Sequence, residues 1–417
     1  MMTENFQSYN TIVAMTPEKE SGISKKQNLT DSSSQNNGED GDLDTKNQNG
    51  NHSNVHAREI CRRGSFERAY VTLKDLGLLD REVAITQKLF KEDILRLYPL
   101  SPKDLEILTI MRLFDSKTLL HSIETYVTAK KKVERPLESG STFLDMLTRE
   151  GILPEQFWRA CLFHDIGKVV IPKFLLNSNY TDENWAQAFI QLSKRKAFSL
   201  MKKYSISIPH ELLDDPGTLM EHMIRNRIRG ARFVPIKTLF SKKQIKLLES
   251  KKFSANMSLI DIMQKHEKES EKILDFMGYP VEAKIAGLHH NYQVANLNIK
   301  KNICSCSVND KNLASDIIHL ADIQEALRSN RPYLSQRPVL KTLAFMVDDA
   351  KRGLVNCFVT YLWIKDDMQK IDSKYLDIVL NHSEDDPEYG HLRDRKIELH
   401  TIQEFLTETE RNLKLPC

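Results

Sequence analysis

An all-helical bundle is the fold class that this sequence predicts, and three stretches carry the prediction. Leu119, Leu120, Ile123 and Val127 recur at helical spacing, as do Ile317, Ile318, Leu320, Ile323, Ala326 and Leu327, and the run from Ile397 to Leu413 is amphipathic. With 417 residues, 40% of them hydrophobic, the chain is long enough for one large or two ordinary domains and a sizeable core. A formal net charge of +3 is close to neutral for this length. Whole-chain electrostatics therefore argue for neither nucleic-acid nor membrane binding.

The elements follow in order. Residues 1–57 are rich in Ser, Asn, Asp, Gly, Gln and Lys, with few large apolar side chains after Met15, and are expected to be disordered. From 58 to 110 a helical lead-in is expected, because Ile85, Leu89, Phe90, Ile94, Leu95 and Leu97 recur at roughly helical spacing before Pro99 and Pro102 punctuate the path. Residues 111–365 form the main domain, with an insertion at about 190–260. After Asp366 a polar stretch leads into the last amphipathic helix, a tail over 366–417 that either packs on the body or pairs two copies in a homodimer. Six cysteines without paired spacing suit a reducing cytoplasm. No apolar stretch reaches the length of a membrane span, and the N-terminus lacks the basic-then-apolar pattern of a signal peptide.

Chemistry is carried by the adjacent His164 and Asp165 in Phe163-His-Asp-Ile-Gly-Lys-Val-Val-Ile-Pro172. A neutral imidazole nitrogen suits a transition metal, a carboxylate can bridge two ions, and two ions close together can clamp a phosphoryl group. Partners for the pair are His121 upstream, then His266, the consecutive His289 and His290, and Asp322. Each falls in a stretch that reads as helical, beside a core face. Any one of these histidines alone is more simply a hydrogen-bonded core or surface residue. The set points to metal.

The order His121, then His164-Asp-Ile-Gly-Lys168, His266, His289-His290, and Asp322 with Ala-Leu-Arg-Ser-Asn-Arg-Pro-Tyr333 after it, resembles the HD-GYP branch of the HD-domain metal phosphohydrolases. Ile171-Pro172, Leu175-Leu176-Asn177, the helix opening at Thr181 and Ala350-Lys-Arg-Gly353 extend the likeness, which covers about residues 110–190 and 260–365. The resemblance implies an HD-domain helical bundle. It also implies two or possibly three divalent ions, iron or manganese, and hydrolysis of a nucleotide phosphodiester, cyclic di-GMP being the first candidate. His121, His164, Asp165 and Asp322 would make one site with Asp165 bridging, and His266, His289 and His290 would complete a second. Asp165 and Lys168 are the expected catalytic residues, with Lys168 and Arg331 as phosphate contacts suited to charge neutralisation and bidentate binding. The sequence departs from the family where His289-His290 runs into Asn291-Tyr292-Gln293 without the Gly-Tyr-Pro loop, and at Ser178, where the family has Lys. Gly278-Tyr279-Pro280 precedes the histidine pair and reads as a helix-breaking turn. These departures touch substrate contacts, so another nucleotide is an alternative substrate and a non-catalytic nucleotide-binding or regulatory scaffold an alternative class.

Between Trp185 and His266 the chain is longer than the family's spacing. Residues 190–252 hold fifteen Lys and Arg against five Asp and Glu, clustered at Lys194-Arg195-Lys196, Arg225-Asn-Arg-Ile-Arg229 and Lys242-Lys243. This predicts a helical basic insertion. Its solvated face either is merely basic or attracts an anionic substrate, a nucleic acid or an acidic partner.

Overall fold

The computed structural model describes residues 51–63, 65–89, 100–178, 180–226, 228–290, 313–328, 338–381 and 392–414. Arg331, Cys304 and Cys306 lie outside them, as does most of the N-terminal stretch. Among the described residues the chain is helical with no strand, and two isolated bridges, Pro136 with Thr142 and Pro235 with Ser258, are its extended pairings. No helix among them is long and apolar enough to cross a membrane.

Helices begin where side chains supply acceptors to their unpaired amides. Ser101, Thr142, Thr181, Ser241 and Ser258 each form a reciprocal capping box with the third helical residue. Pro102 takes the first helical position, where it costs no hydrogen bond, so the punctuation read at that proline is a helix start. The helix Asn51–Arg63 begins inside the N-terminal stretch expected to be disordered. Its Ala57 and Cys61 are fully buried, and that packing compensates for the polar composition around them.

The lead-in helices Asn51–Arg63, Phe66–Asp75 and Leu78–Leu89 pack on one another and against Pro102–Phe114. A buried ion pair between Arg112 and Glu82 fastens them, with Thr86 accepting from Arg112 Nε at 3.0 Å and from Thr109 at 2.9 Å. The last helix, Arg393–Lys414, lies on Val339–Lys351 and Cys357–Met368 and buries Leu399, Ile402 and Phe405. Of the two roles open to it, packing on the body is the one observed.

Two hydrophobic clusters organise the described residues. The larger runs from Ala57 to Phe405 and holds the central helices. The smaller runs from Ile171 to Ile262 and is built on Trp185, Phe189, Phe233 and Phe240, with Phe189 and Phe233 meeting edge to face at 5.2 Å between centroids. Half-buried Val170 packs against both clusters. The insertion is thus a subdomain with its own core, seated on the segment that follows Asp165. Gly230 lies so close to Trp185 that a Cβ there would sit 2.7 Å from the tryptophan Cβ. Replacing Trp185 by Ala should lower unfolding stability by about 3–5 kcal/mol, read by urea denaturation; a loss under about 1 kcal/mol would show that this cluster does not depend on it.

Candidate metal centre

Five segments converge on one buried cluster. His121 lies on the helix Ser116–Val133 and Asp322 on Leu313–Arg328, and these two helices pack along each other. His266 opens the helix Lys265–Phe276. His164 and Asp165 occupy the turn between the helix Pro154–Phe163 and a 3₁₀ turn, Ile166–Val170. His289 and His290 follow the helix Pro280–Ala286 in a turn. The expectation that every partner of the His164-Asp165 pair sits on a helix therefore fails for His289 and His290. The Pro280–Ala286 helix stops short of the pair, and the His290 amide donates to Glu267 Oε1 at 2.8 Å, a carboxylate taking the place of a helical carbonyl.

The seven side chains fall into two groups, His121 with His164 and Asp322, and Asp165 with His266, His289 and His290; either group could hold a metal ion. Asp165 stands between them. Its Oδ2 is 3.3 Å from His121 Nε2 and 3.5 Å from His164 Nε2, while its Oδ1 is 3.2 Å from His266 Nε2 and 3.7 Å from His289 Nε2. One carboxylate thus offers one oxygen to each group, the arrangement a bridging ligand needs. Asp322 faces both groups as well, with Oδ1 2.7 Å from His121 Nε2 and Oδ2 3.6 Å from His290 Nε2.

Backbone carbonyls fix which imidazole nitrogen faces inward. His164 Nδ1 donates to Cys161 O at 2.9 Å, His289 Nδ1 to Ala286 O at 2.6 Å, and His266 Nδ1 to Met263 O. A carbonyl can only accept, so in each ring Nδ1 carries the proton and neutral Nε2 presents a lone pair to the centre. His266 Nε2 and His289 Nε2 then face each other across 3.2 Å. Two lone pairs at that distance call for a cation or a shared proton between them. His164 Nε2 and Asp165 Oδ1 are buried with no hydrogen-bond partner among the described residues. Orphaned donor atoms of this kind, in a nitrogen and oxygen set suited to iron, manganese or zinc, fit a divalent cation.

His121 is held differently. Its Nδ1 pairs with the Glu325 carboxylate, one helical turn beyond Asp322. Burial alone would push the His121 pKa down, but Asp165, Asp322 and Glu325 outweigh it and hold the imidazole well above its ordinary range. Burial lowers His164 and His289, and takes His290 well below the usual value. For Asp165 burial opposes ionisation, yet Lys168 and the surrounding histidines keep its pKa well below that of an ordinary carboxylate; His121 does the same for Asp322 against burial there. Lys168, on the 3₁₀ turn, reaches back to Asp165 Oδ2.

Gly167 sets the spacing of the two halves. A Cβ added to it would lie 1.9 Å from the His266 carbonyl oxygen and 2.6 Å from Ser270 N, so the turn after Asp165 rests directly on the His266 helix backbone. Ser270 Oγ locks the contact by accepting from Gly167 N at 2.8 Å and donating to His164 O at 2.7 Å.

Gly278-Tyr279-Pro280 joins the His266 helix to the segment leading to His289. Gly278 has φ +76°, Pro280 opens the next helix, and the Tyr279 hydroxyl donates to Asp104 at 2.8 Å. It is a turn, as the sequence suggests. His319, one turn before Asp322, pairs with Asp349 at 3.3 Å and places its ring 5.5 Å from that of His290. Sequence reasoning passed over Glu325, Glu267 and Ser270. Glu325 alone had a signal, since the spacing from Asp322 puts both carboxylates on one helix face.

The chain matches no family model, no curated protein and no solved structure.

Gly167→Ala should displace the turn from the His266 helix, costing about 1–3 kcal/mol and lowering metal uptake; a variant that binds metal as the wild type does would show the close approach to be dispensable. Glu325→Gln should weaken metal binding by about 10- to 100-fold, measured by competition with a chelating dye. Because the surrounding carboxylates raise the His121 pKa and so favour imidazolium, whereas a ligating imidazole must be neutral, binding should release about one proton and tighten as pH rises through the His121 range. Calorimetry in buffers of different ionisation enthalpy reads that proton directly.

Proposed function

We propose that the chain is a metal-dependent phosphohydrolase that cleaves a nucleotide phosphodiester. The observation that carries this reading is Asp165, whose two oxygens face two separate donor groups within one buried cluster. His121, His164 and Asp322 would hold one ion and His266, His289 and His290 the other, with Asp165 shared. When bound, a pair of divalent ions supplies Lewis-acid polarisation of a phosphoryl oxygen and a water acidic enough to attack at neutral pH.

The chain's own residues supply the rest. The carbonyls of Cys161, Met263 and Ala286 and the Glu325 carboxylate hold the imidazoles in one tautomer and orientation. Lys168, partly exposed beside the Asp165 carboxylate, would neutralise phosphate charge and give a proton to the leaving oxygen. Cyclic di-GMP is the first substrate to test, on the sequence resemblance. Another nucleotide stands close behind, because the one Gly-Tyr-Pro in the chain is spent on the turn that binds Asp104. Arg331 as a phosphate contact belongs to this proposal and lies outside the described residues.

Metal analysis and a turnover screen over cyclic dinucleotides and nucleotide esters, with manganese and with reduced iron, test the reading. Two equivalents of metal and turnover of a phosphodiester are expected. Asp165→Ala should abolish metal and hydrolysis together, whereas Lys168→Ala should keep the metal and lose about 10²- to 10⁴-fold in turnover. Wild-type protein that takes up no metal would leave a regulatory scaffold.

A further inference from the structure

The basic subdomain is spliced between two of the segments that build the metal centre. Its core begins at Ile171, six positions after Asp165, and ends at Ile262, four before His266. Phe174 on the entering segment packs on Phe240 at 5.3 Å between centroids, and Met263, which packs against the same cluster, gives its carbonyl to His266 Nδ1.

The helices of this subdomain spend their apolar faces on that core. Ala197 and Met201 are buried from Lys194–Tyr204, Leu219 and Met223 from Pro216–Arg225, and Leu248 from Lys242–Ser250. Their cations remain in solvent: Lys196, Arg225, Arg229, Arg232, Lys242 and Lys243 are exposed, and none of these six pairs with a carboxylate among the described residues. Local acids do little to neutralise them. Asp215 is committed to capping Pro216–Arg225 through Gly217 and Thr218, and Asp214 pairs with Lys194. The backbone that carries Arg225, Arg229 and Arg232 is anchored, because Gly230 is wedged on Trp185 and Ile228 N closes onto Met223 O at 2.8 Å.

We infer that this subdomain is a phosphate-backbone platform for a single-stranded nucleic acid, which the adjoining centre takes as an extended substrate in place of a free dinucleotide. The inference rests on the phosphodiesterase reading above. A nucleic-acid strand is favoured over other polyanions because it repeats the very bond that the centre is proposed to cut, and because guanidinium groups suit phosphate oxygens. Phe189, Phe233, Phe240 and Phe253 are buried in the core and Tyr180 is the large aromatic ring left exposed there among the described residues, so contact falls on phosphates more than on bases, and weak sequence preference with steep salt dependence follows.

Binding of a fluorescein-labelled single-stranded RNA of about twenty nucleotides, followed by anisotropy on the full chain in chelator, tests the platform without hydrolysis. Affinity should fall linearly on a log–log plot against salt. Reversal of Arg225, Arg229 and Arg232 to Glu should weaken it at least tenfold and flatten the slope by roughly two. Lys242→Glu with Lys243→Glu, on a different helix, gives the second variant should the first misfold. Absence of RNA binding by the wild type, or equal affinity and slope in a folded variant, overturns the inference. So does capture by anionic phosphatidylserine vesicles in preference to RNA, which would make the surface a membrane contact. The two readings separate in manganese: RNA bound but uncut while a dinucleotide is cut sinks the extended substrate alone, no phosphodiester cut at all sinks the phosphodiesterase, and a dinucleotide cut without RNA binding sinks the platform alone.

Discussion

The approach of the Ile166–Val170 turn to the His266 helix is the constraint on which the rest of this structure depends. Asp165 can face both donor groups only if the turn that carries it lies against the backbone of a helix from a distant part of the chain. Gly167 permits the contact by having no side chain, and Ser270 holds it with one hydroxyl that serves both the Gly167 amide and the His164 carbonyl. Such contacts are stiff, because a backbone has no rotamer to yield. The same helix begins with His266 and, through Glu267, ties down the turn that carries His290. One interface therefore fixes the Asp165 carboxylate and one whole donor group at once.

Concentrating this many titratable groups away from water is costly unless each is paired or neutral. The centre divides the labour. Burial favours the neutral form of His164, His289 and His290, the first two also donating Nδ1–H to carbonyls, while Asp165, Asp322 and Glu325 favour the charged form of His121. Lys168 adds a second cation beside the Asp165 carboxylate. Negative charge then collects on one side of Asp165 and lone pairs on the other. A cation is the species that answers both.

The helical class and the convergence of the seven residues were legible because both rest on signals in the chain itself: apolar period for the first, and the ligand chemistry of His and Asp for the second. What could not be read was where helices stop. His289 and His290 look helical from their neighbours, yet a carboxylate contributed by another helix, Glu267, receives the His290 amide, and such a long-range acceptor leaves no trace in spacing. Ser270 was invisible for the same reason. Gly167 stood inside a recognised motif, but its meaning, a backbone too close for a methyl group, belongs to the tertiary contact.

The insertion shows how a bundle acquires a second core without disturbing the first. Its two ends leave and return at segments already immobilised by the centre, so closing the intervening loop adds little entropy beyond that of its own length, and its aromatic core then offsets the ordering of the chain between. Val170 belongs to both cores, which makes the segment after Asp165 a shared wall. Any force on the subdomain is delivered to that wall and, at the other end, to the Met263 carbonyl that orients His266. Tight seating there favours an element that presents its charges at a fixed distance from the centre over one that swings freely, because a displacement large enough to move the cations would have to unpack Phe174 from Phe240 and lift the turn from the His266 helix.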